Sequence, residues 1–477
     1  MIKDWKFLIL FSVMAYILQF IIADIYYGDD LFRVVDAYFL WGDDGRPLAD
    51  IFYRIFLPLN SSYLPDVYPI PLLTSSILFS FVFYKVVENF CDEEGSFKYI
   101  IPIIFLSNTF FISNLLFRFD GAFMLLAMVL SSLPFALNRD NKWIWSVLTV
   151  ISLVSSFCLY QSSVNIFISF TSIYAYVAYC KTRDLKKSII SILHSAIIFV
   201  LSYAIYAFIL KFIPLNAHFT EFNKAIDPSI EGVNIFINNI STSLIYVKKL
   251  LGSGLLYPIT FAYIVSLAYV IHSSLKNRDV YILIFYSIAV ITCAFSICGI
   301  VYFGKFASFF PRVFCGLSVF LVLPIIVLHK VRASNIIAIP VCLFLLIPQL
   351  VLCSTTLNAS KFEISQADSI SKSIIFDMQQ YGSGEKIAII GKPSHAPRTI
   401  PALRSFPIIE DLLPVVFRGG YDGGRYTLLA NGMPRKQFAS DKEIDFIRAN
   451  IASLNPATSN NVYNYYVYNN ISIIYFK

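Results

Sequence analysis

Apolar runs recur along the first three-quarters of the chain, each close to the length of a membrane crossing and each set off from the next by a polar link. A spanning helix takes roughly 20 apolar residues to cross about 30 Å of hydrocarbon. On that measure the pattern predicts about eleven transmembrane helices, at 7–25, 70–88, 99–116, 121–137, 144–159, 164–180, 188–213, 255–272, 280–300, 313–329 and 335–353. Longer polar segments fall at 26–69 and 214–254, and a polar tail occupies 354–477. In the tail the period changes. Ile387–Ile390 and Ile471–Phe476 read as strands, Val462–Tyr468 pairs with the latter through Asn469-Asn470, and Asp441–Ile447 reads as a helix. The prediction is an all-α polytopic bundle over 1–353, followed by a small α/β domain over 354–477.

Composition supports a membrane class. The chain is 57% hydrophobic and 14% charged, with a mean hydropathy of +0.68, outside the range of soluble globular domains. With Lys3 and Lys6 placed in the cytoplasm, alternation puts Lys98, Arg139, Lys142, the run Lys181–Lys187, Lys276, Arg278, Lys330 and Arg332 on that same side. Topology thus accounts for the net charge of +7, and a nucleic-acid partner is not expected. An odd number of crossings sends the tail outward. No small-residue cleavage pattern precedes Tyr26, so the first helix is read as uncleaved. All eight cysteines lie at or before Cys353, which leaves the tail without a disulfide framework.

The polar mass therefore lies outside, away from ATP, and the chain contains no GxxxxGK[ST] motif and no strand-linked GxGxxG. Gly391-Lys392 reads as a turn after a strand. His194, His218, His272, His329 and His395 are scattered without metal-ligand spacing, so no metal or other cofactor is expected, and only carboxylates could hold a divalent ion. The glycine-rich stretch Arg418–Tyr426 is either a connector or a lid whose Tyr and Arg touch a sugar.

Candidate chemistry gathers at the outer helix ends. Asp29 and Asp30 follow the first span, and Arg33, Arg46, Arg118, Asp120, Lys305 and Arg312 map to the same side, with Gln161 in Tyr160-Gln161-Ser162-Ser163. A carboxylate beside arginines suits a displacement in which Asp29 or Asp30 takes a proton from an acceptor hydroxyl while cations neutralise a departing phosphate. The alternatives are a helix cap for the acid pair and an interhelical ion pair for Arg118 and Asp120. Asp43 and Asp44 are secondary acidic candidates, or an ordinary Asp-Asp-Gly turn.

The ordered set Tyr27-Gly28-Asp29-Asp30, Arg33, Trp41, Gly45-Arg46-Pro47-Leu48, Phe117-Arg118-Phe119-Asp120, Tyr160-Gln161-Ser162 and Pro311-Arg312-Val313 resembles the multi-spanning glucosyltransferases that modify O-antigen and cause serotype conversion in Gram-negative bacteria and their phages. The resemblance implies a GT-C-like enzyme of the inner membrane, with its amino terminus cytoplasmic and its tail periplasmic. It implies transfer of a hexose, usually glucose, from undecaprenyl phosphate to the O-antigen repeat, with the essential acid at Asp29 or Asp30. Family members commonly carry Ser where this chain has Gly28. A small flippase and a lipid-phosphate glucosyl synthase would supply the donor. A lipid-linked saccharide flippase and an O-antigen polymerase are the competing readings.

Overall fold

The computed structural model describes residues 5–58, 61–91, 96–222, 224–414, 416–417 and 423–477. Its first half comprises α1 (Trp5–Ala23), α2 (Asp30–Asp36), α3 (Pro47–Arg54), α4 (Ile70–Phe90), α5 (Ile101–Leu106), α6 (Phe111–Leu116), α7 (Asp120–Ala136), α8 (Lys142–Leu159), α9 (Asn165–Thr182) and α10 (Leu185–Leu210). Then come α11 (Ala217–Phe222), α12 (Ile230–Gly252), α13 (Leu256–Asn277), α14 (Tyr281–Phe295), α15 (Leu317–Lys330) and α16 (Asn335–Tyr381). The tail adds β1 (Lys386–Ile390), α17 (Ile400–Ser405), α18 (Gly423–Ala430), β2 (Gln437–Phe438), α19 (Asp441–Asn450), β3 (Thr458–Ser459), β4 (Tyr463–Tyr468) and β5 (Ile471–Phe476).

Local chemistry sets many of these boundaries. Asn141, Asp184, Ser229 and Ser334 cap α8, α10, α12 and α16 by accepting first-turn N–H bonds, each satisfying donors the helix itself leaves open. Ser440 and Glu443 form a reciprocal capping box on α19.

Seven helices are long and apolar enough to cross a membrane: α1, α4, α8, the Gln161–Thr182 segment containing α9, α10, α13 and α16. Four shorter apolar helices, Phe97–Leu106, α7, α14 and α15, occupy other expected spans. Two of these, α7 and α15, are enclosed on nearly every face by the bundle. The expected span 99–116 is broken at Ser107–Thr109. There Asn108 Oδ1 accepts from the Phe110 N–H at 3.0 Å, Asn108 Nδ2 donates to Ser318 at 3.1 Å, and Thr109 donates to Gln349 at 2.6 Å. These polar side chains offer the backbone an alternative to the helical ladder and so end α5.

The bundle turns apolar side chains outward. Phe11 on α1, Ile197 and Val200 on α10, Ile264 on α13 and Ile336 on α16 are each at least 61% exposed, on a scale that suits lipid and not water. The segment 214–254, expected as a loop, is mostly the 23-residue helix α12. Helix α16 runs 47 residues without interruption, carrying the chain from the apolar bundle to the sheet.

The sheet order is β2-β1-β5-β4-β3, with β1 parallel to both β2 and β5. The expected hairpin is present: β4 and β5 pair antiparallel through Asn469 and Asn470, both with positive φ, as a tight two-residue turn requires. Strands β2 and β3 were not foreseen, because each has only two residues. Of the glycine-rich stretch, Arg418–Asp422 lies outside the described residues; Gly423 onward forms α18. The tail packs back on the bundle. Tyr426 of α18 packs at a tilt against Phe32 of α2, with ring centroids 4.3 Å apart, and donates to Asp36, Arg435 pairs with Asp36 at 2.7 Å, and Asp411 pairs with Lys249 of α12.

Candidate active site

Three short turns build the site: Tyr26–Asp30 after α1, Trp41–Arg46 before α3, and Phe117–Asp120 between α6 and α7. Gly28 holds the first turn. Its φ is +56°, and a Cβ there would lie 2.9 Å from the Phe117 ring. A left-handed residue pressed against an aromatic edge favours glycine. The Phe117 ring also meets Tyr27 edge-on, with centroids 4.8 Å apart.

Asp30 ties the first turn to the third. It is 1% exposed. Its Oδ2 accepts from the Tyr27 and Arg118 N–H groups, both at 2.8 Å, and its Oδ1 accepts from the Phe119 N–H at 3.1 Å. Burial pushes its pKa up to about 8, with the nearby Asp120 charge adding to the rise and the three N–H donors opposing it. Asp29, beside it at the N-cap of α2, is only half-buried. Of the two acids, Asp29 is the more exposed, and Asp30 is committed to the backbone.

Asp120 ties the second turn to the third. Its carboxylate accepts from the Trp41 indole at 2.8 Å and pairs with Arg46 at 3.3 Å and Arg33 at 3.7 Å. Arg33 lies over the Trp41 ring at 4.0 Å and donates to the Phe39 carbonyl. Two guanidiniums thus share one carboxylate. Arg46 Nε is buried and has no hydrogen-bond partner, an uncommon state for a charged donor. Arg46 lies 5.5 Å from the Tyr160 ring centre, and the Tyr160 hydroxyl donates to the Arg312 carbonyl at 2.8 Å. The Arg312 guanidinium rests against Phe117 and Phe310 at 5.2 and 5.5 Å. Among the described residues no carboxylate lies within ion-pair distance of it. The result is a cationic side, Arg33–Arg46–Arg312, next to the turn that carries Asp29.

Arg118 is differently placed. Its side chain pairs with Asp66 at 2.6 Å and with Asp24, and it is held between the Tyr26 and Tyr68 rings at 4.6 and 4.5 Å. Two carboxylates and two rings already occupy it. Asp24 and Asp66 were not singled out from the sequence, although each lies at the end of an apolar span. Asp50 was also missed: it accepts from the Trp41 and Gly42 N–H groups at 3.2 and 2.7 Å and fixes the second turn.

The remaining candidates divide. Gln161 donates to the Gly45 carbonyl at 3.1 Å and to the Tyr206 hydroxyl at 2.8 Å, which braces the Arg46 turn from α10. Asp43 and Asp44 bind Asn216, through a backbone carbonyl at 3.0 Å and through the side chain, so they join this turn to α11. Lys305 pairs with Asp227 at 3.1 Å, and no contact joins it to Asp30, Asp120 or Arg118. Among the described residues no group of three His, Cys, Asp or Glu side chains could hold a metal ion.

No solved structure matches this chain. It is 22% identical over 455 residues to a Salmonella phage P22 protein described as an uncharacterized 55.3 kDa protein in the gtrB 5' region, with 93% of each chain covered. A family model for glucosyl transferase GtrII matches residues 18–368. That match takes in all three turns of the site and most of the 477 residues, so the chain belongs to the GtrII family of glucosyl transferases, enzymes of O-antigen modification.

Proposed function

We propose that the protein transfers glucose from undecaprenyl phosphate to an O-antigen repeat at the periplasmic face of the inner membrane. In this reading residues 1–353 form the membrane part, the amino terminus is cytoplasmic, and the tail from 354 is periplasmic. A flippase and a lipid-phosphate glucosyl synthase deliver the donor. The observation that carries the reading is the surplus of guanidinium beside a half-buried carboxylate: Arg33 and Arg46 share Asp120, Arg312 has no acid partner among the described residues, and Asp29 stands on the adjoining turn.

The acceptor hydroxyl oxygen attacks the anomeric carbon as the bond from that carbon to the phosphate oxygen breaks. The phosphate keeps the electron pair and leaves on the polyprenol, and the hydroxyl proton passes to Asp29. One displacement inverts the anomeric carbon. Arg46 and Arg312, on either side of Tyr160, neutralise the leaving phosphate, as preorganised cations do for developing charge. Asp30 and Asp120 position the turns. A flippase would place ionisable groups near the bilayer midplane; here they stand at helix ends, at or before the starts of α2, α3, α7 and α15.

The test uses detergent-purified protein, synthetic undecaprenyl phosphate glucose, and lipopolysaccharide from a host lacking this gene. Wild type transfers glucose, and Asp29→Asn lowers kcat by about 100-fold or more, the scale of a lost general base. Absence of wild-type transfer from this donor, or full turnover by Asp29→Asn, overturns the proposal.

A further inference from the structure

A cavity of about 290 Å³ opens where α1 ends against α16, lined on one side by Asp24 and on the other by Lys361, Ser365, Asp368, Ser369 and Lys372. The volume is near the lower end for small-molecule sites, roughly 300 Å³. Residues 361, 365, 368 and 372 follow helical spacing, so they form one polar stripe along α16 just beyond its apolar part. The stripe is organised. Lys361 donates to the Ile22 carbonyl at 2.9 Å, and Asp368 accepts from Asn431 of the tail at 2.9 Å. Asp24, at the opposite wall, is a partner of Arg118, whose backbone N–H is held by Asp30. The cavity therefore adjoins the turn that carries Asp29.

We infer that this cavity binds one sugar of the acceptor saccharide. The inference rests on the function proposed above and names where its second substrate lies. Two lysines and two aspartates balance in charge, which suits a neutral saccharide over a phosphate. Ammonium groups donate, carboxylates accept and serine hydroxyls do both, matching sugar hydroxyls that donate once and accept twice. Ile25 and Ile364 add apolar surface for the C–H face of a ring. The tail contributes through Asn431, so the sheet domain takes part in forming the acceptor site.

Ser365 and Ser369 are exposed, so Ser365→Trp and Ser369→Trp fill the cavity without entering the core. The probe is the O-antigen oligosaccharide released from a host lacking this gene, titrated against full-length protein in detergent with undecaprenyl phosphate glucose as donor. The expected result is an acceptor KM raised about tenfold or more, with an unchanged donor KM and unchanged slow hydrolysis of donor when acceptor is absent. Lys372→Ala raises the acceptor KM in the same sense. Acceptor KM values within about twofold of wild type in both tryptophan variants overturn the assignment while leaving the transferase reading intact. Loss of wild-type transfer from this donor instead removes the transferase reading itself.

Discussion

Replacing Asp30 with Asn keeps the shape of the side chain and changes one oxygen to an amide nitrogen. That single exchange separates an anchor from a catalyst. The carboxylate accepts three backbone N–H bonds, and Asn has one oxygen to offer. If that oxygen takes the Oδ2 position it keeps Tyr27 and Arg118, and the amide then faces the Phe119 N–H in a residue that is 1% exposed. A buried donor left without a partner costs about 1–3 kcal/mol. The expected loss is about 1–3 kcal/mol, enough to shorten the half-life of activity at elevated temperature by about tenfold if the anchor is already broken in the transition state for unfolding. Heat inactivation in detergent, followed by initial rates of transfer at 25 °C on the surviving protein, reads both quantities. Asp30→Asn loses heat resistance, whereas Asp29→Asn keeps it and loses turnover. Wild-type heat resistance in Asp30→Asn together with abolished transfer would refute the assignment and make Asp30 the base.

Arg312→Ala removes a guanidinium that has no acid partner among the described residues, so the donor KM rises about tenfold or more while heat resistance stays near wild type; a loss of heat resistance equal to that of Arg118→Ala, which breaks two ion pairs, would contradict this. The Asp30 carboxyl also gives a pH signature. Its folded pKa, about 8, lies above the ordinary aspartate value of 3.8, so the folded state binds this proton more tightly and the stabilisation is full below about pH 4 and lost as pH rises through about 8. Wild-type heat resistance should fall more steeply from pH 6 to 9 than that of Asp30→Asn, and parallel profiles for the two proteins would exclude the linkage.

The sequence pattern carried the parts of the fold that depend on local repetition. Apolar runs located the long helices, and the alternation around Asn469-Asn470 located the β4–β5 hairpin. It did not locate the break at Asn108, because the competing bonds to Ser318 and Gln349 come from residues more than 200 positions away. Nor did it locate the end of α16, since an apolar-to-polar change marks where a helix leaves lipid and not where it stops. The candidate site shows the same division. Asp29, Asp30, Arg46, Asp120 and Arg312 stood out as charges at outer helix ends, and the structure places them around three adjoining turns. Which of them is already occupied was not legible. Arg118 looked available for a phosphate until Asp24 and Asp66 took their places beside it, and Lys305 shared a side of the bundle with the site without sharing a contact. Pairing across 52 and 94 positions, as in Arg118–Asp66 and Arg118–Asp24, leaves no local periodicity to read.

The unbroken length of α16 has a mechanical consequence. At 1.5 Å per residue it is a rod about 70 Å long, rooted among the apolar helices and ending at the sheet. Each residue along it advances the azimuth by about 100°, so a single insertion after residue 353 would swing the sheet a quarter-turn or more and pull Tyr426 and Arg435 off α2. Four inserted residues would bring it back to within about 40°, one helical pitch farther from the bundle. The rod thus fixes the compass bearing of the tail over the turn that carries Asp29, so a change in helix phase would undo the docking of the tail on α2 without altering any residue that makes it.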